Sequence, residues 1–255
     1  MATLTHYPIL TFVLFFFGLA AAAWIGAFIS RHRPAQDQME KDDFNLIVSA
    51  TLTLLGLIIG FSFAMAVSRY DQRKNYEEAE ANAIGTEYVR ADLLPPAEAA
   101  KVRNMLHDYV DQRVLFYTVA DETQLQEVNA RTARLQNELW SVVQVQAVAQ
   151  PTPVNALVVA GMNDVLNSQG YTQAAFWNTI PQAAWALMAA IAVFSNVMVG
   201  LGATSSKAHP SLLWVLPLIV AVAFFLIADL DSPRRGVIHV TAQNLVALAG
   251  SMRPR

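Results

Sequence analysis

Asn45-Leu-Ile-Val-Ser-Ala-Thr-Leu-Thr-Leu-Leu-Gly-Leu-Ile-Ile-Gly-Phe-Ser-Phe-Ala-Met-Ala-Val67 holds 23 residues without a charged side chain. It passes directly into Ser68-Arg-Tyr-Asp-Gln-Arg-Lys-Asn-Tyr-Glu-Glu-Ala-Glu-Ala-Asn-Ala-Ile-Gly-Thr-Glu-Tyr88, a charged stretch with no proline. A bilayer's hydrocarbon core is crossed by about 20 helical residues. The first half therefore reads as a transmembrane helix and the second as its polar extension, ending near Leu94 because Pro95 and Pro96 disfavour helical backbone before them.

Within the apolar half, Ser49, Thr53, Gly56, Gly60 and Ala64 recur at steps of three and four and form a small-residue face that includes Gly56-x-x-x-Gly60. Such faces let helix backbones approach closely. Packing against another span of the same chain is the plainer expectation. The sharper one is that several copies pack through this face and turn larger apolar residues toward a central axis, where an apolar constriction can gate ions by dewetting. In the polar half, Asn75, Glu78 and Asn82 fall at steps of three and four and suit a stripe facing a cytosolic vestibule, but the default expectation for this stretch, these residues included, is a salt-bridged, solvated face.

The same pattern recurs along the chain. Residues 8–29, 182–203 and 211–228 are also uncharged and mostly apolar, which with 45–67 predicts four transmembrane helices. The Ala20–Ala23 run resembles a signal-cleavage site, but no Lys or Arg precedes it and the apolar stretch continues through Phe28, so 8–29 reads as a retained span. Between the second and third spans, residues 68–181 carry 9 of the 17 basic and 14 of the 20 acidic residues. Helical periods place residues on common faces: Val102, Leu106, Tyr109, Arg113 and Tyr117; then the apolar Leu125, Val128, Leu135, Leu139 and Val142; then the stripe Val154, Leu157, Val158, Gly161, Met162, Val165 and Leu166. The expected architecture is an all-α membrane protein with a helical domain at 68–181 and a C-terminal segment at 229–255.

Lysine and arginine resist translocation. Arg69, Arg73, Lys74, Arg234 and Arg235 outweigh Arg31, Arg33, Lys41 and Lys207 on the opposite side, so the domain and both termini are expected in the cytoplasm. The whole-chain composition limits the chemistry. With 55% hydrophobic and 15% charged residues and a formal net charge of −3, the chain lacks the basic footprint of a nucleic-acid binder. No cysteine is present, and His6, His32, His107, His209 and His239 are scattered without ligand spacing, so no metal site or cofactor is expected. No nucleotide loop, nucleophile elbow or zinc-protease motif occurs, and an enzyme is not expected. Asp229 and Asp231 close the fourth span beside Arg234 and Arg235; an ion-pair network is expected there, with a weak cation site as the alternative.

Gly60-Phe61-Ser62-Phe63, Ser68-Arg69-Tyr70-Asp71-Gln72-Arg73, Glu80-Ala81-Asn82-Ala83-Ile84-Gly85-Thr86, Arg90-Ala91-Asp92-Leu93-Leu94-Pro95 and Asp229-Leu230-Asp231-Ser232-Pro233-Arg234-Arg235-Gly236 together resemble the bacterial bestrophin-like membrane family. The resemblance implies a homo-oligomeric, most simply homopentameric, multi-pass channel of the bacterial inner membrane, in contact with lipid and ions. It places an apolar neck on the second span among Ile58, Phe61, Ser62 and Met65. It also implies conduction of anions such as chloride, with a cation-selective channel and a non-conducting scaffold or sensor as alternatives. A transporter reading would require charged or broken spans and inverted repeats, which the sequence lacks.

Overall fold

The computed structural model describes residues 7–32, 38–203 and 210–252, and every regular element among them is helical. Arg33, Lys207, His6 and His209 fall outside the described residues, as does the side chain of Lys41. The order is α1 (Pro8–Arg31), α2 (Gln38–Arg90), a 3-10 turn (Ala91–Leu93), α3 (Pro96–Thr118), α4 (Glu122–Ala149), α5 (Pro153–Trp177), α6 (Gln182–Ala203), a second 3-10 turn (Pro210–Trp214), α7 (Val215–Asp231) and α8 (Gln243–Met252). Among the described residues, three helical stretches are long and apolar enough to cross a membrane: Pro8–Arg31, Asp42–Leu93 and Pro153–Ala203. The fourth expected span coincides with α7, whose 17 residues are shorter than a full crossing.

The chain forms two compact units. The first comprises Met1–Arg69 and Thr179–His239. Its centre is a close crossing of α1 and α6. A Cβ on Gly26 would overlap the Val197 carbonyl oxygen, and one on Gly200 would overlap the Ala23 carbonyl oxygen, so both positions require glycine. Ala20, Ala23 and Ala27 are buried along one side of α1, and Ala22 is buried on another. The alanine run that resembles a cleavage site is thus a helix-packing surface. Aromatic contacts fasten α7 beside it: Phe15 meets Phe224 edge to face at 4.7 Å, and Trp185 meets Phe224 at 6.0 Å.

The second unit comprises Tyr70–Asn178 and Val240–Arg255, so the C-terminal segment divides between units at Val240. Local signals define its helices. Leu94 is extended ahead of Pro95, Asp121 caps α4 by accepting from Gln124 N at 2.9 Å, and Thr152 caps α5 by accepting from Asn155 N at 3.2 Å. The buried face of α3 is Val102, Leu106, Tyr109, Arg113 and Tyr117, and that of α4 includes Leu125, Val128, Leu135 and Leu139. On α5 the apolar stripe is narrower than its sequence pattern: Val158, Met162 and Val165 enter the core, whereas Val154 and Leu157 are exposed at the first turns.

Candidate functional site

Every sequence-derived pore and vestibule candidate lies on α2, and the helix divides cleanly into an inner and an outer side. The inner side is the buried row Leu55, Ser62, Ala66, Arg73, Glu77, Glu80, Ile84 and Glu87, with Ala81 buried beside it and Ala91 of the following 3-10 turn in the same register. Its steps of seven, four and three keep one angular register along the helix. The outer side in the apolar half carries Ser49, Thr53, Gly56, Gly60 and Ala64, all exposed. A Cβ at Gly56 or Gly60 would meet nothing within 4 Å. The expectation that this small face packs against another span of the same chain is therefore corrected, because the crossing at Gly26 and Gly200 fills that role.

Phe61 is 65% exposed and Met65 42%, with Ile58 half-buried at the edge. Ser62 is only 4% exposed. One residue along a helix turns the side chain by about 100°, which carries Ser62 from the Phe61 side into the inner row. Ser62 thus leaves the neck set as a correction. Thr51 and Thr53 donate their hydroxyls to Ile47 O at 2.7 Å and Ser49 O at 2.8 Å, so both hydroxyls are satisfied within the helix.

Past Ser68 the outer side holds Asp71, Asn75, Glu78 and Asn82, all exposed, while Tyr70 is half-buried against the core. The inner side overturns the solvated reading of the remaining charges, since Arg73, Glu77, Glu80 and Glu87 are buried. Glu80 receives Nε and Nη2 of Arg113 and the Thr172 hydroxyl at 2.9 Å. Burial opposes the Arg113 charge, the Glu80 carboxylate more than restores it, and the net pKa is raised. Burial and then the Glu80 charge push the Tyr109 and Tyr117 phenols upward, so both stay neutral. Glu77 caps α8 from outside the helix, accepting from Leu245 N at 2.9 Å and Asn244 Nδ2 at 2.6 Å. Glu87 lies against Gly161 with neither carboxylate oxygen hydrogen-bonded, and burial pushes its pKa up to about 8 against the pull of Arg90, with Asp164 adding to the rise. The signal for this row was its register, which continues that of Leu55, Ser62 and Ala66 through the change from apolar to charged residues.

The turn after α7 is the second feature. Asp231 accepts from Ile180 N at 2.9 and 3.0 Å and from Arg69 Nη1 at 3.1 Å. Asp229 accepts from Val237 N at 2.6 Å and Ile238 N at 2.7 Å. Arg69, which the sequence does not point to for this network, pairs with Asp231, and Arg235 stands over the Tyr7 ring at 4.6 Å. Both carboxylates are buried, and each is engaged by N–H donors. No group of three or more metal-ligating side chains occurs among the described residues.

A family profile for the bestrophin-like domain matches residues 17–245. The crystal structure of a bacterial Bestrophin homolog from Klebsiella pneumoniae, phased with zinc, aligns with a TM-score of 0.65 at 14% identity, covering 95% of this chain and 98% of that one. Two structures of a Klebsiella pneumoniae Bestrophin homolog with a single substitution align at TM-scores of 0.64 and 0.66 with 12% and 10% identity. They cover 94% of this chain and 96% and 93% of theirs. At these identities the likeness is one of fold. No protein of curated function matches the sequence.

Proposed function

The chain belongs to the bestrophin-like family, and on that premise we propose that it is a homo-oligomeric ion channel, most simply a pentamer, in which the outer side of α2 lines the conduction path. The reading takes α1, the apolar half of α2, α6 and α7 as four spans, α7 being lengthened by the turn Pro210–Trp214, with the second unit and both termini in the cytoplasm of a bacterial inner membrane. The observation that carries it is the exposure of one side of α2 from Ser49 to Asn82. That side is small and apolar where the helix is long enough to cross a bilayer, and polar beyond Ser68. A lipid-facing helix has no use for Asp71, Asn75, Glu78 and Asn82 in line with Gly60 and Ala64, whereas an oligomer around an axis uses both. Phe61 and Met65, with Ile58 at the edge, form the neck, and Asn75, Glu78 and Asn82 face the vestibule.

The neck residues carry no charge, so they exclude hydrated ions by dewetting rather than by sign. Anion conduction is the first reading, taken by analogy with the family resemblance, which does not itself fix the ion's sign. Asp71 and Glu78 favour a second reading, because acidic side chains along a vestibule concentrate cations. Purified protein in planar bilayers is expected to pass current, with Phe61→Ala raising the conductance or open probability several-fold. Reversal potentials in a salt gradient assign the sign, and Glu78→Gln shifts the reversal potential toward anions if the vestibule controls it. Absence of current from both the wild type and Phe61→Ala would favour a non-conducting scaffold.

A further inference from the structure

The residues after α7 read Ser232-Pro-Arg-Arg-Gly-Val-Ile-His239, and their backbone is held in place. Ser232 N donates to Asp229 O and Gly236 N to Ser232 O, both at 3.3 Å, while the Asp229 carboxylate takes the next two amides, of Val237 and Ile238. A Cβ at Gly236 would overlap the Asp229 carbonyl oxygen, so the turn closes only around glycine. This fixed turn holds two branched aliphatic side chains outward: Val237 is 73% exposed and Ile238 42%. Held apolar groups gain free energy by entering an apolar phase, and no rearrangement of the turn is needed for them to do so.

Their surroundings identify that phase. Tyr7, directly before the start of α1, lies under the Arg235 guanidinium, and Asp231, directly before the turn, ends α7. The turn therefore sits at the ends of two apolar helices. A phenol, the Arg235 guanidinium over it and two aliphatic side chains at such a level match the three layers of a bilayer surface: aromatic belt, anionic headgroups and upper acyl chains. The neighbouring carboxylates do not compete for an anion's place, since Asp229 and Asp231 are buried and engaged by N–H donors. We infer that residues 232–239 form a rigid membrane-surface anchor, with Val237 and Ile238 sunk at the headgroup–acyl boundary and Arg235 binding the phosphate of an anionic phospholipid. The inference rests on the membrane reading proposed above, with α7 as a span.

The absence of cysteine allows a direct test on the full chain. Val237→Cys and Ile219→Cys, the latter on the exposed side of α7, each carry a nitroxide label. The protein is reconstituted in vesicles of phosphatidylglycerol with phosphatidylcholine, and of phosphatidylcholine alone. The label at Val237 is expected at shallow depth, accessible to oxygen over a water-soluble nickel chelate, in the anionic vesicles. Arg235→Gln is expected to move it toward water and to reduce phosphatidylglycerol retained through purification by roughly 5-fold, the factor that corresponds to about 1 kcal/mol for one cationic side chain at an anionic surface. A Val237 label open to the nickel chelate in both vesicles overturns the anchor, as does one shielded from both reagents, which would mean packing against a second copy. The Ile219 label separates the two levels: if it lies in hydrocarbon while Val237 lies in water, the anchor alone fails, and if it too lies in water, the span reading fails.

Discussion

At Glu87 a carboxyl group is buried with both oxygens lacking hydrogen bonds, against a glycine that leaves it room. Its pKa rises from the ordinary 4.5 to about 8, chiefly through burial. The folded chain thus holds this proton over a pH range in which the unfolded chain has released it. Between those two values unfolding releases a proton, so the group's contribution to stability falls as pH rises and levels off above about 8. Glu87→Gln removes the dependence. Its thermal midpoint in detergent should match the wild type near pH 5 and exceed it near pH 8.5, where the wild type must bury an ionised carboxylate. Equal midpoints at both pH values would show that Glu87 reaches solvent. Ser62 teaches a related lesson at the same scale. It shares a motif with Phe61 and Phe63, but the inner row of α2 claims it, and only the neighbours across that row reveal this.

At the scale of elements, small residues serve two purposes in this chain. On α1 and α6 they bring backbones together, at Gly26 and Gly200. Gly200→Ala places a methyl group on the Ala23 carbonyl oxygen, and overpacking of this kind costs about 1–3 kcal/mol; the thermal midpoint should fall by several degrees while the oligomer persists. On α2 the space beyond Gly56 and Gly60 is open within one chain. Gly60→Leu should leave the fold of each chain intact, judged by helical circular dichroism, and weaken association in light scattering. The reverse pattern would assign the two surfaces the other way round. The sequence made the face on α2 legible, since spacing alone defines a helical face. It did not reveal the partner, because spacing says nothing of what lies opposite, and the true intrachain contact was hidden in an alanine run with the look of a cleavage site.

Across the whole molecule, the segregation of charge was the most readable property. Helices follow the uncharged stretches, and Pro95, Pro96, Pro151 and Pro153 punctuate the rest. The α3 and α4 core faces were visible in periodicity because each packs one apolar side. The buried acids of α2 were not, since a Glu is normally read as solvated, and the groups that satisfy Glu80 and Glu77 come from Arg113, Thr172 and Leu245, distant in sequence. The division of α2 into an inner and an outer side is what makes a channel the favoured reading, and it can be tested position by position in a chain without cysteine. Single-cysteine variants Phe61→Cys, Asn75→Cys and Ser62→Cys are recorded in planar bilayers while a water-soluble thiol reagent is applied. The account predicts that modification at Phe61→Cys and Asn75→Cys blocks most of the current and that Ser62→Cys is unaffected; block at Ser62→Cys with none at Phe61→Cys or Asn75→Cys would contradict it.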